Sequence, residues 1–352
     1  MNNQELNSGT MEKSTRSCGR RRGPYGNAFN ALSKIWLALA VGFLLIPGVA
    51  RAQQYVFENI AFPGDTFTQL LGINDADVIA GYHNQAANQG FTLTLPDVFT
   101  SENFPNPADP LTPFATQVTG INNASDTAGF YMDSGGTNHG FLDTNGVFKT
   151  VDFQGTTFNQ LLGLNDTGQA AGYFQDPSGF QHPYILQPTG TFSLLKLPGG
   201  ASGQATDIND KGQVSGFYAT PTGGDNGFLW SAGKLTTLSF PGAVITQALG
   251  LNSIGQVVGF YQTTLLGPQH GFIYSGGVFA TVDDPGATQT MINGINNFGQ
   301  FVGIAVVGDP ATVGFVGSPL VVPEPSLLGL LALGSTALVG MCILRSRRSS
   351  LR

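Results

Sequence analysis

Between residues 53 and 322 the chain has no cysteine and no arginine; its two cysteines, Cys18 and Cys342, lie near the ends. No disulfide and no thiolate metal site can hold that stretch together, so its stability has to come from packing and closure. Charge is scarce too. Only 11% of the 352 residues are charged, against about 25% in an ordinary soluble domain, which excludes a charged disordered chain. Nor does the central stretch carry a helical hydrophobic period of any length, which excludes a long-helix protein. What the sequence does hold is 49 Gly, 20 Pro, 26 Phe and 41% hydrophobic residues. That is ample apolar surface for a core, punctuated by turn formers, and it predicts an all-β chain of many short strands.

The formal net charge of −7 hides a division. Of the 15 Lys and Arg, seven precede residue 53 and four follow Leu344, leaving four Lys, no Arg and 19 acids between Gln53 and Val322, a formal charge of −15 there. A nucleic-acid surface needs the opposite sign, so no nucleic-acid partner is expected.

Both ends read as addresses. The first 34 residues are polar and basic, Ile35 to Pro47 is a 13-residue apolar run, and Ala50-Arg51-Ala52 follows. This is the order of a secretory signal peptide (residues 1–52), with signal peptidase expected to cut between Ala52 and Gln53. The basic leader is long enough that translation from Met11 is an alternative start. At the other end (residues 321–352), Val322-Pro323-Glu324-Pro325 leads into Ser326 to Leu344, 19 residues without a charge, followed by the basic cluster Arg345, Arg347 and Arg348. Nineteen helical residues span about 28 Å, close to the hydrocarbon thickness of a bilayer. A transmembrane helix with its basic end in the cytoplasm is expected. The three-part tail resembles the PEP-CTERM sorting signal of Gram-negative bacteria. That resemblance implies an exosortase-type peptidase as partner, cleavage near the motif, and delivery to the cell surface or exopolysaccharide matrix.

The central stretch is a repeat. Gly/Asp-Ile/Leu-Asn recurs six times, ending at Asn74, Asn122, Asn165, Asn209, Asn252 and Asn296, at intervals of 48, 43, 44, 43 and 44. Seven residues after each stands a glycine: Gly81, Gly129, Gly172, Gly216, Gly259 and Gly303. Gly-Phe follows further on, replaced by Pro183-Tyr184 in the third copy. Each copy reads as four short strands, the first two joined by a turn such as Asn165-Asp-Thr-Gly168, whose last position accepts positive φ. Four strands in about 44 residues is a β-propeller blade.

The sixth copy lacks its last strand, while an orphan segment, Val56 to Gly64, precedes the first and matches Val278 to Gly286 in its Val-Phe start and Pro-Gly end. A six-bladed propeller over residues 53–320 is therefore expected, its last blade completed by the N-terminal strand, which removes exposed sheet edges. The alternative is an open β-solenoid, which would need caps. The Gly-Ile/Leu-Asn, Gly-Tyr/Phe-Tyr and His-Gly-Phe pattern also resembles the bacterial extracellular HAF repeats, over roughly residues 55 to 317. It implies a surface repeat protein and no particular reaction.

Candidate chemistry is sparse. His139, His182 and His270 share the slot before Gly-Phe or its substitute; one per copy, they read as strand-end residues bonding backbone, and His83 as a turn residue without a partner. Asp75, Asp77, Asp283 and Asp284 read as solvated turn acids, since no calcium-loop pattern is present. No cofactor is expected, although a charge of −15 would draw calcium to the surface. Tyr82, Tyr131, Tyr173, Tyr218 and Tyr261 read as packing between blades. Trp230, the one tryptophan after signal removal, either stacks on a glycan ring or covers a neighbour. No nucleophile elbow, zinc-protease motif or phosphate loop occurs. The expectation is an exported, non-enzymatic binding or structural protein of the envelope or biofilm matrix. The rivals are a secreted carbohydrate-active enzyme with acids in the central channel and a lectin-like propeller.

Overall fold

The computed structural model describes residues 54–84, 86–109, 111–308 and 312–320. The leader, including Ala50, Ala52 and Gln53, and the tail, including Val322 to Pro325, the apolar run and Arg345, Arg347 and Arg348, lie outside the described residues. No helix among those described is long and apolar enough to cross a membrane.

Six antiparallel units follow one another along the chain. Blade 1 is built from Thr68–Ile73, Val78–His83, Gln89–Thr94 and Val98–Ser101; blade 2 from Ala115–Ile121, Thr127–Met132, Asn138–Thr144 and Val147–Val151. Blade 3 uses Asn159–Leu164, Ala170–Gln175, Gln181–Leu186 and Phe192–Leu194; blade 4 uses Gly203–Ile208, Val214–Ala219, Asp225–Ser231 and Lys234–Leu238. Blade 5 comprises Ile245–Leu251, Val257–Gln262, His270–Ser275 and Val278–Thr281, and blade 6 Gln289–Ile295, Phe301–Val306 and Thr312–Pro319. Blades 4 and 5 are joined into one eight-stranded sheet by a single parallel pair, Asp225 with Ile245.

The fourth strand of blade 6 is Tyr55–Ile60, paired antiparallel along Thr312–Pro319 from Tyr55 opposite Pro319 to Ile60 opposite Gly314. The first strands lie side by side around the ring, that of blade 6 against that of blade 1 included. The molecule is a closed six-bladed propeller, as the repeat and its mismatched ends predict.

The repeat residues have separate jobs. At each seven-offset glycine the second strand passes so close to the first that a Cβ would strike its backbone: at Gly216 it would lie 2.1 Å from the Gln204 carbonyl oxygen and 2.4 Å from the Phe228 ring. The missing side chain leaves room for the aromatic of the third strand, and Phe91, Phe141, Tyr184, Phe228, Phe272 and Phe315 are all fully buried. Between blades, a phenylalanine just beyond one outer strand stacks on a ring in the second strand of the next. Phe62 lies on His83 at 3.5 Å, Phe104 on Tyr131 at 3.8 Å, Phe153 on Phe174 at 3.9 Å and Phe240 on Tyr261 at 3.6 Å. Packing between blades is thus what Tyr131 and Tyr261 do. In the turn after the first strand, Gly168, Gly212, Gly255 and Gly299 take positive φ, and Asp77 and Ser125 adopt the same backbone at φ 60° and 65°.

Candidate functional site

The repeat asparagines meet at the axis. In each, the side-chain oxygen accepts backbone N–H bonds from its own turn, as Asn165 does from Thr167 and Gln169. The amide nitrogen instead donates to the backbone oxygen of the next blade's asparagine. The bonds run Asn74 to Asn122 (2.9 Å), Asn122 to Asn165 (3.5 Å), Asn165 to Asn209 (2.9 Å), Asn209 to Asn252 (3.0 Å), Asn252 to Asn296 (2.9 Å) and Asn296 back to Asn74 (3.3 Å). Both functions of the amide are spent, one on shaping the turn and one on fastening the neighbour, which is why the position is asparagine rather than aspartate or serine.

The following residues form a second ring. Backbone N–H groups of Asp75, Asn123 and Asp166 donate to side chains of Asn123, Asp166 and Asp210, and the N–H of Asn297 donates to Asp75. Asp75 is therefore a fastener between blades 1, 2 and 6 and not a solvated turn acid; Asn297 Nδ2 also donates to it at 2.8 Å. The cavity between the two rings holds only about 70 Å³.

One residue breaks the axial pattern. Where five blades have Gly72, Gly120, Gly163, Gly250 and Gly294, blade 4 has Asp207. Its carboxylate accepts from the N–H groups of Ile208 at 2.8 Å and Leu251 at 3.0 Å. Burial pushes this carboxyl up to about 7, against the lowering effect of those two bonds. In the sequence Asp207 passes for a variant of the repeat glycine; an acid at a position where the other copies keep glycine is the signal that sets it apart.

Each histidine is paired with an aspartate, which corrects the expectation of backbone bonding. His139 Nδ1 lies 2.8 Å from Asp152 and its Nε2 3.4 Å from Asp133; His182 Nε2 lies 3.1 Å from Asp176, and His270 Nδ1 2.8 Å from Asp283. His83 ends a strand and is partnered by Asp65 at 2.9 Å, so it is neither a turn residue nor unpaired. Asp283 is thereby engaged, and Asp284 is buried; neither is a solvated turn acid. These pairs sit at different blades, and no group of three metal-ligating side chains forms among the described residues. Trp230 is half-buried against the hydrophobic cluster of blades 3 and 4, opposite Leu235, and so covers a neighbour.

The largest departure from the repeat lies between blades 1 and 2, where the interval between asparagines is 48 and not 43 or 44. A cavity of about 650 Å³ opens there, lined by Glu102, Asn103, Asp126, Asp143, Asn145 and Phe148 among others. The Thr127 hydroxyl donates to Glu102. Burial pushes the Glu102 carboxyl up, opposed by that bond and reinforced by the charge of Asp143. Burial likewise raises Asp143, opposed by backbone N–H bonds from Gly146 and Val147 and reinforced by Asp126. None of these acids stood out in the sequence, because a carboxylate near a loop is ordinary until strand register shows which position it occupies.

No family model and no curated protein matches the chain. Among solved structures, it resembles a putative TolB from Agrobacterium tumefaciens at 10% identity and TM-score 0.52, over 75% of this chain and 98% of that one. It also aligns with the six-bladed fucose-recognising lectin of Aleuria aurantia (9% identity, TM-score 0.46, 72% and 93% covered). A virginiamycin B lyase from Staphylococcus aureus aligns at 9% identity and TM-score 0.45 over 75% and 99%. At these identities the likeness is one of fold, and the class defined is the β-propeller.

Proposed function

We propose that this chain is an exported, surface-sorted propeller that serves as a binding or structural component of the cell envelope or exopolysaccharide matrix. The observation that carries the reading is the closed ring of six side-chain-to-backbone bonds at the axis. It spends the polar groups of the channel mouth on each other and turns the repeat into one rigid body, suited to presenting its outer loops and blade junctions to a partner. The acidic core between two basic, apolar ends supports the export half of the reading: signal peptidase removes residues 1–52, and an exosortase-type peptidase reads Val322 to Pro325 and the helix behind it. Calcium, drawn by the acidic surface, is an expected counterion and not a cofactor. Deleting residues 322–352 and fractionating the cells tests the sorting claim; the same amount of protein at the surface or in the matrix without the tail would overturn it.

A further inference from the structure

Strand register allows each blade position to be compared with its five counterparts, and three positions depart together. Glu102 stands opposite Gly90, the glycine before the third-strand aromatic, with its N–H bonded to the Gly90 carbonyl. The residues in that place elsewhere are Val151, Leu195, Leu238, Val282 and Ile60, all buried aliphatics. Thr127 pairs with Asp143 across the second and third strands of blade 2. The matching pairs are Ile79 with Leu93, Ala170 with Leu186, Val214 with Trp230, Val257 with Tyr274 and Phe301 with Gly317.

Three core positions that hold no acid and no threonine in any other blade thus become Glu, Thr and Asp at one junction, and nothing in the repeat architecture requires it. The substitution is costly. Thr127 is 1% and Asp143 7% exposed, and Asp143 Oδ1 is buried with no hydrogen-bond partner among the described residues. An orphaned buried carboxylate oxygen costs about 1–3 kcal/mol or more, and ring stability alone favours the aliphatic side chains of the sister blades. Among the described residues a carboxylate oxygen is buried without a partner at Asp77 and Asp284 as well; what sets this junction apart is that the cost falls beside a cavity and together with Glu102 and Thr127 in core positions, and that combination marks a site.

The walls specify the ligand. Asp126, Asp143 and Glu102 supply carboxyls, Asn103 and Asn145 supply amides, Phe148 and Pro113 supply apolar surface, and among the described residues no lysine lines the cavity. The ligand must bring the positive charge, with hydroxyls that donate to the carboxyls and accept from the amides. A volume of about 650 Å³ is in the range of small-molecule pockets, ~300–1,000 Å³, and far larger than a bare ion needs. We infer that the cavity between blades 1 and 2 binds a sugar-sized, hydroxylated ligand bearing a primary ammonium group, an amino sugar in chemical class, with the ammonium facing Asp143 and Glu102. The raised carboxyls agree with this: burial is the main cause of both shifts, with the charge of Asp143 adding to it at Glu102 and that of Asp126 at Asp143, and a bound cation offsets the cost of ionising them there. This deepens the binding reading above and is independent of the sorting claim, since it is measured on the purified full chain.

The test is calorimetric titration with glucosamine, glucose and calcium chloride separately, on the wild type and on a variant carrying Glu102→Val and Asp143→Leu, the residues found in sister blades. Glucosamine is expected to bind the wild type at least tenfold more tightly than glucose, and the variant at least tenfold more weakly. The variant's melting temperature is expected to equal or exceed that of the wild type, which separates loss of a site from loss of fold. Equal binding of glucose and glucosamine would overturn the charge requirement. Unchanged glucosamine affinity in the variant, or a site that takes calcium and ignores glucosamine, would overturn the assignment.

Discussion

Replacing Asp207 by asparagine removes one titrating proton from the axis while keeping the shape of the side chain. In the folded ring this carboxyl is raised from 3.8 to about 7 by burial, whereas in the unfolded chain it titrates as an ordinary aspartate. Between those two values the folded state holds a proton that the unfolded state has released. Folding therefore takes up a proton in that window, and the stability contributed by the protonated carboxyl is lost as pH rises through about 7. The gap in pKa corresponds to about 4 kcal/mol between pH 4 and pH 8 at the full shift. The asparagine variant gives up part of one acceptor interaction, with Ile208 or Leu251, at about 1 kcal/mol independent of pH. The variant is thus expected to be slightly less stable than the wild type at pH 4.5 and more stable by 2–3 kcal/mol at pH 8. Denaturant unfolding at both pH values, read as the difference between the two proteins, cancels every other titrating group. Parallel pH profiles for the wild type and variant would refute the reasoning, and so would a crossover in the opposite direction.

Gly216→Ala places a methyl carbon 2.1 Å from the Gln204 carbonyl oxygen and 2.4 Å from Phe228, and since backbone cannot step aside it should cost about 3 kcal/mol or more, read as a lowered melting temperature. Ile60→Ala truncates a buried residue of the closing strand and should cost about 3 kcal/mol. Deleting residues 55–63 should destabilise the ring as a whole, because blade 6 loses a strand; unchanged thermal unfolding would mean the ring does not depend on that closure.

The blade pattern was legible because its determinants are local or strictly periodic. A fixed seven-residue offset from asparagine to glycine reflects one strand crossing another at one distance, and the split sixth blade showed in the likeness of Val56 to Gly64 and Val278 to Gly286. In two copies the turn ends in Asp77 and Ser125, and these adopt the positive φ that glycine takes in the other four. The chemistry was less legible, for a geometric reason. His139 finds its partners 6 and 13 residues away at Asp133 and Asp152, a spacing set by loop shape and not by strand period. Glu102 and Thr127 are 25 residues apart and belong to different blades, and only register reveals that both occupy core positions.

Closure by the strand Tyr55–Ile60 also orders events in time. A ribosome makes that strand some 250 residues ahead of its partner, Thr312–Pro319, and closing so long a loop carries the entropy of nearly the whole chain. Blades 1 to 5 can each form from neighbouring segments, but the last sheet has to wait until the chain is almost complete, so topology delays the final step of folding. The partner of the closing strand ends at Pro319, three residues before Val322. A chain cut short before Thr312 therefore leaves Tyr55–Ile60 without its partner however many of the earlier blades are present, so loss of a few late residues opens the ring at its first strand.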